Sequence, residues 1–314
     1  MIVEKTISIR RLLPIIWKRL ALMALISAAI VVPMELFGLE RYAIGMTTPL
    51  ILGTAISIFL GFRTNSAYER WMSGRAIFGD ICASVRNLAL VLARVDERYR
   101  NLKTGKDSAK APAIMTRMIR RGIALLYTFG AELQNRPDPF DFETAEELLL
   151  PEELDMLRRT PNPSLRMLFE QSKDFRAAAA QGQFLDGEHF EIVGIQRELS
   201  RLMNQAQALN NTPFPTHYTY FTDVFVWLLV VLLSLSLPAT EVASIYVIPL
   251  VVIIGWTFSM IEGIGSYMDY PWMDNRNTVP VRFLAREQER QLRQLALGED
   301  RELERFTPVE GALY

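Results

Sequence analysis

Histidine and cysteine, the side chains most often used to hold zinc or to attack a substrate, are scarce in this chain: His189, His217 and Cys82 are all there are. None of the three stands at a metal-ligand spacing from another, so a zinc site built from them would lack the close pair that normally organises one. The acidic pairs Asp141/Glu143, Glu146/Glu147 and Glu152/Glu153 fall at helix starts or in solvated turns. There, negative charge complements the helix dipole, and proton transfer is not needed to explain it. Gly263 and Gly265 flank one residue, but no helix-start pattern follows them as a phosphate loop would require. Glu262, at the end of an apolar run, reads as an interfacial carboxylate. These residues give no constellation for covalent chemistry, so the reading is a protein that is not an enzyme, with no cofactor and no resident metal.

A different kind of chemistry is carried by the uncharged run 42–62, where hydroxylated and small residues interrupt the apolar ones. On a helical wheel Thr54, Ile58 and Phe62 share one stripe with Thr47, and Gly53, Ser57 and Gly61 form an adjacent stripe at i, i+4 and i+8. Small residues allow helices to approach closely in a membrane. The first stripe would then face an axis in an oligomer, with Thr54, Ile58 and Phe62 as successive rings of a neck that gates by wetting and dewetting. Packing in a helix-bundle core is the competing account of Ile58 and Phe62.

The elements that must position these residues follow from the charge pattern. Half of the 314 residues are apolar and 22% are charged, with a net charge of -1, so the charge has to be segregated along the chain. Uncharged runs predict four spans at 15–36, 42–62, 221–240 and 242–262, with a helical region at 63–215 and a C-terminal segment at 263–314. Lys5, Arg10, Arg11, Lys18 and Arg19 precede the first span, and Arg63, Arg70 and Arg75 follow the second. The positive-inside rule places both termini, the middle region and the C-terminal segment in the cytoplasm. One cysteine excludes an internal disulfide, and the charge balance gives no sign of nucleic-acid binding.

Within the middle region, helical spacing predicts helices over 65–99 and 113–133, and a buried seam over 191–209 through Ile192, Ile195, Leu199, Leu202, Met203, Ala206 and Leu209. Thr144 with Glu147 has the form of a capping box. No alternating strand pattern occurs, and no flexible linker divides the chain. The expectation is an all-α protein, residues 1–314 forming one integrated unit whose membrane helices continue into a cytosolic bundle.

The segment Leu60-Gly61-Phe62-Arg63-Thr64-Asn65-Ser66-Ala67-Tyr68-Glu69-Arg70-Trp71, followed by Ser73-Gly74-Arg75 and Phe78-Gly79, resembles the bacterial branch of the bestrophin channel family. Its distinctive positions are Arg63, Asn65, Tyr68, Arg70, Trp71, Gly74 and Arg75, and the resemblance covers roughly residues 1–295. It implies a homopentamer of four-span subunits around one axial pathway for monovalent ions, lined at a hydrophobic neck by the second span. Phe62 would be the cytoplasmic ring, Ile58 the middle ring and Thr54 the outer one, the threonine departing from the usual apolar necks. The resemblance also implies a second constriction in the cytosolic region; no motif places it in this chain, and the position expected for it is near 184–195. The stretch 268–275 carries only Asp269 and Asp274, which read as turn or capping residues and not as a calcium site. The passive channel is expected to favour anions such as chloride, the edges of aromatic rings being electropositive. The alternatives are a cation channel of the same build and, from another class, a membrane-anchored scaffold or signalling protein.

Overall fold

The computed structural model describes residues 9–101, 110–212, 215–239, 244–273 and 278–299, and these contain ten α-helices and no strand. They are α1 (Ile9–Leu36), α2 (Thr47–Asn101), α3 (Lys110–Leu133), α4 (Ala145–Leu148), α5 (Pro151–Arg158), α6 (Pro163–Ala180), α7 (Asp186–Asn211), α8 (Thr216–Ser236), α9 (Ser244–Met268) and α10 (Val281–Leu292). Asp274 and the tail beyond Glu299 lie outside the described residues.

Local chemistry accounts for several of these boundaries. Proline opens α5 and α6, where a missing N–H costs nothing. Gly182, at φ 68°, ends α6, its N–H donating to the Ala179 carbonyl at 2.9 Å while Gln183 N–H reaches Ala178 at 3.1 Å. Glu188 reaches back to the Leu185 N–H at 2.9 Å to open α7. The box expected at Thr144 does not form. Helix α4 does start after Thr144, but the hydroxyl makes no capping bond, and the Glu147 carboxylate accepts from Arg293 Nη2 at 3.0 Å. A charged partner distant in the chain has outcompeted the local amide.

Helices α1, α2, α8 and α9 are long and apolar enough to cross a membrane. Their bounds differ from the sequence expectation for identifiable reasons. The second starts at Thr47 and not at 42, because residues Leu39–Tyr42 form a tight 3-10 turn. The third starts at Thr216 and stops at Ser236, where Leu237–Ala239 turns around Pro238. The fourth continues past 262 to Met268.

The chain divides into two compact units. A span unit lies within Glu4–Trp71 and Pro213–Tyr270, and a helical unit lies within Met72–Thr212 and Pro271–Tyr314. Helix α2 runs unbroken from Trp71 to Met72, where one unit gives way to the other. The span unit is cored by Met23 and Val31 of α1, Ile56 and Leu60 of α2, Val226, Leu229, Val230 and Leu233 of α8, and Val247 and Val251 of α9. Gly255 permits the close approach of α9, since a Cβ there would lie 2.6 Å from Val230 Cγ2 and 3.1 Å from Met23 Sδ. In the helical unit Phe78, Ile81, Val85, Leu88 and Leu92 of α2 are buried together with Met115, Ile119, Ile123 and Phe129 of α3. The α7 seam also forms, with Ile192, Leu199, Leu202, Met203 and Ala206 buried and Ile195 and Leu209 half-buried.

Candidate pore-lining face

Within the span unit α2 has two faces that share no role. Ile56, Leu60, Arg63 and Ala67, spaced i, i+4, i+7 and i+11, are each no more than 1% exposed. On the other side Ile51 is 67% exposed, Ile58 55% and Phe62 71%, with Thr54 exposed between them. The Thr54 hydroxyl donates to the Leu50 carbonyl at 2.8 Å, so its polarity is largely spent on its own helix. Ile58 and Phe62 are thus not core within the protomer, which removes the bundle-core account of them for a single chain.

The small-residue stripe divides in the same way. A Cβ on Gly53 would meet Leu229 Cδ1 of α8 at 3.8 Å, whereas Gly61 faces open space. Ser57 is exposed and donates back to the Gly53 carbonyl at 2.8 Å. Of the three, only Gly53 serves helix packing inside the protomer.

The motif residues that follow take up separate tasks. Arg63, 1% exposed, donates through Nη1 to Glu262 Oε1 at 2.9 Å and to the Glu262 carbonyl at 3.2 Å. Its Nη2 reaches Thr219 Oγ1 at 3.0 Å, Ser266 Oγ at 2.8 Å and Asp269 Oδ2 at 3.3 Å. Arg70 Nε donates to the Asp269 carbonyl at 2.7 Å, and Asn65 Nδ2 donates to Glu69 Oε1 at 2.8 Å. Tyr68 stacks near Trp71, ring centroids 6.4 Å apart. In the helical unit Gly74 is required by closeness, a Cβ there falling 2.6 Å from Pro271 Cβ and 3.3 Å from Trp272. Arg75 is exposed.

Glu262, near the end of its apolar helix, and Asp269, in the bend just after it, have a further role that their local sequence does not show. Both are buried partners of Arg63, and Glu262 also lies 3.7 Å from Arg19 of α1, which itself pairs with Asp223 of α8 at 2.6 Å. Burial raises the pKa of the Asp269 carboxyl, opposed by the charges of Arg63 and Arg70. The signal in the sequence was the isolated Glu262 at the end of an otherwise uncharged run and Arg63 directly after another, opposite charges that need each other in a low dielectric.

The metal-type side chains go elsewhere. Cys82 is buried in α2, His189 packs on Phe175 with centroids 5.1 Å apart, and His217 is exposed on α8. Among the described residues no three His, Cys, Asp or Glu side chains gather as a ligand set. In the 184–195 segment the Phe184 ring packs tilted against Phe175, centroids 5.0 Å apart, while Leu185 and Phe190 are 61% and 75% exposed.

Comparison with known proteins agrees with this architecture. The family described as Bacterial/Fungal Bestrophin protein matches residues 6–294. Similar sequences include the voltage-dependent anion channel-forming protein YneE of Salmonella typhi, 23% identical over 85% of this chain and 82% of the relative. The protein of the same name type from Nostoc, alr2987, is 27% identical over 74% of this chain and 73% of its own. A crystal structure of a bacterial bestrophin homolog from Klebsiella pneumoniae superposes with a TM-score of 0.75 at 21% identity, covering 91% of this chain and 100% of that one. With the four candidate spans, the motif at 60–79 and a family match across most of its length, the chain belongs to the bacterial and fungal bestrophin family.

Proposed function

We propose that this chain forms a homopentameric, passive channel for monovalent ions in the inner membrane of a bacterium, with both termini cytoplasmic and the α2 helices lining an axial hydrophobic neck. The observation that carries this reading is the exposure of Ile58 and Phe62 on a helix whose opposite face is fully buried. Lipid tails can cover side chains of this size as well; what favours a ring of identical helices, with the side chains facing one another or a column of water and ions, is the family motif that continues directly from Phe62. Thr54, Ile58 and Phe62 would form the outer, middle and cytoplasmic rings. The open space at Gly61 and the outward Ser57 leave room for a neighbouring subunit to approach. The exposed Leu185 and Phe190 make 184–195 the proposed place of a second, cytosolic constriction.

Anions are the preferred cargo in this reading. The relatives are named as anion channel-forming, and the electropositive edge of Phe62 suits chloride. One observation favours the cation alternative: Glu69 is exposed on α2 two turns beyond Phe62, at nearly the same azimuth, and would add a negative ring. Reversal potentials in planar bilayers under a potassium chloride gradient decide between them. Reversal near the chloride potential supports the anion channel, and reversal near the potassium potential assigns cations. Phe62→Ala and Ile58→Ala are expected to raise current several-fold with assembly intact, since each widens an apolar ring. Unchanged currents in both would overturn the placement of the neck on α2.

A further inference from the structure

Three guanidiniums and three carboxylates meet in the span unit: Arg19, Arg63 and Arg70 with Asp223, Glu262 and Asp269. The apolar neck has no direct use for them. Glu262 bridges two of the arginines, Arg63 through Oε1 and Arg19 through Oε2, so that one carboxylate ties α1 and α2 to α9. Asp223 and Thr219 add α8. All four candidate spans are joined at this one place, α2 contributing Arg63 and, two turns on, Arg70.

We propose that Arg63 is a positioning residue that sets the rotation of α2 about its own axis and thereby the direction in which Ile58 and Phe62 point. This rests on the neck reading above. Apolar contacts alone are a poor rotational stop in a bilayer. When Ile56 and Leu60 leave their neighbours for lipid tails they lose packing but little solvation free energy. A guanidinium cannot make that exchange. Turning α2 by one residue, about 100°, would carry Arg63 away from five oxygen acceptors and into hydrocarbon or an apolar helix face. The acceptors lie on two other helices and just beyond one of them, so they oppose rotation in either sense. Because Phe62 is the adjacent residue, the stop acts directly at the cytoplasmic ring.

The test uses the full-length protein in bilayers or nanodiscs with Cys82→Ala, which removes the sole cysteine. Single cysteines are placed by Ile58→Cys, on the exposed stripe, and by Phe59→Cys, whose side chain packs 5.5 Å from Tyr218 in centroid distance. Oxidative cross-linking between subunits is expected at 58 and not at 59 when Arg63 is intact. Adding Arg63→Gln or Glu262→Gln should weaken the 58 cross-link and bring up the 59 cross-link, with single-channel gating altered in parallel. Arg63→Lys, which keeps the charge but loses the planar fork, should fall between. An unchanged 58/59 pattern in assembled Arg63→Gln and Glu262→Gln proteins overturns the stop while leaving the neck intact. If Arg63→Gln does not assemble, the Glu262→Gln pattern decides alone. Absence of the 58 cross-link in the parent would overturn the axial neck itself and the proposal with it.

Discussion

Arg63 in the span unit and Arg121 in the helical unit are both buried, and each meets two carboxylates and further polar groups, yet the apolar side chains around them contribute differently. Arg121 donates to Glu153, to Asp174 Oδ2 at 2.7 Å and to Gln171 Oε1 at 3.2 Å, above a core that includes Met118, Leu168 and Phe175. In water that core has its own driving force, roughly 25 cal/mol per Å² of apolar surface buried, and the ion pairs select among arrangements the core already favours. In lipid the corresponding force between helices nearly vanishes. The span unit must rely on close packing, as at Gly255, and on directional polar bonds such as those of Arg63. Similar-looking salt bridges therefore differ in rank: in one unit they refine a fold, in the other they decide how its helices are turned.

Helix α2 passes through both environments and provides the sharpest test. Leu60 and Leu92 lie on it, one in each unit, and each is no more than 1% exposed. Leu92→Ala is expected to cost about 2–5 kcal/mol, the full transfer-plus-cavity penalty. Leu60→Ala should cost only about 1–2 kcal/mol, because truncation in lipid loses the packing but little of the transfer term. Hydrogen exchange of the two halves of α2 measures both, and equal losses would break the comparison.

The glycines refine it further. Gly255→Ala pushes a methyl to 2.6 Å from Val230 Cγ2 and is expected to destabilise the span unit by about 1–3 kcal/mol in a thermal unfolding assay. Gly61→Ala meets nothing in the protomer, so monomer stability should hold, and the loss should appear in the fraction assembled into the proposed pentamer by native mass measurement.

The smallest effect concerns pH. Glu132 of the helical unit accepts from Ser164 N–H at 2.8 Å and from its hydroxyl, and burial raises its pKa, opposed by those hydrogen bonds. A carboxyl with a raised folded-state pKa stabilises fully below its ordinary range and loses that contribution as pH rises through the raised value. The stability of the wild type relative to Glu132→Gln should therefore decline over that window, by under about 1 kcal/mol. A pH-independent difference would show that the Ser164 bonds hold the ionised form as well as the neutral one.

Much of the architecture could be read without coordinates, because the relevant information lies along the chain. Runs free of charge mark segments that can enter lipid, and a 3.6-residue period marks helices, so the four candidate spans, the unbroken α2, the α7 seam and, among the described residues, the lack of strands are all legible. The stripe of Thr54, Ile58 and Phe62 was visible for the same reason, as was the motif at 60–79 that carries the family. Where local pattern failed, a distant partner had won. Thr144 and Glu147 have the spacing of a capping box, but Arg293 claims the glutamate. Turns moved the span ends, since the 3-10 segments at Leu39–Tyr42 and Leu237–Ala239 are set by packing as much as by composition.

The faces of α2 show where that legibility stops. Periodicity established that Ile58 and Phe62 share a side of the helix, because angular position follows from residue number alone. It could not say whether that side meets a neighbouring helix of the same chain. That depends on where α1, α8 and α9 pack, and they pack on the opposite side, against Ile56, Leu60 and Arg63. Nor could it pair Arg63 with Glu262 and Asp269, which follow it by 199 and 206 residues. A charge next to an apolar run announces that it needs a counter-charge, but which one it finds is settled only when the tertiary fold brings distant ends of the spans together in a medium where an unpaired charge is too costly to keep.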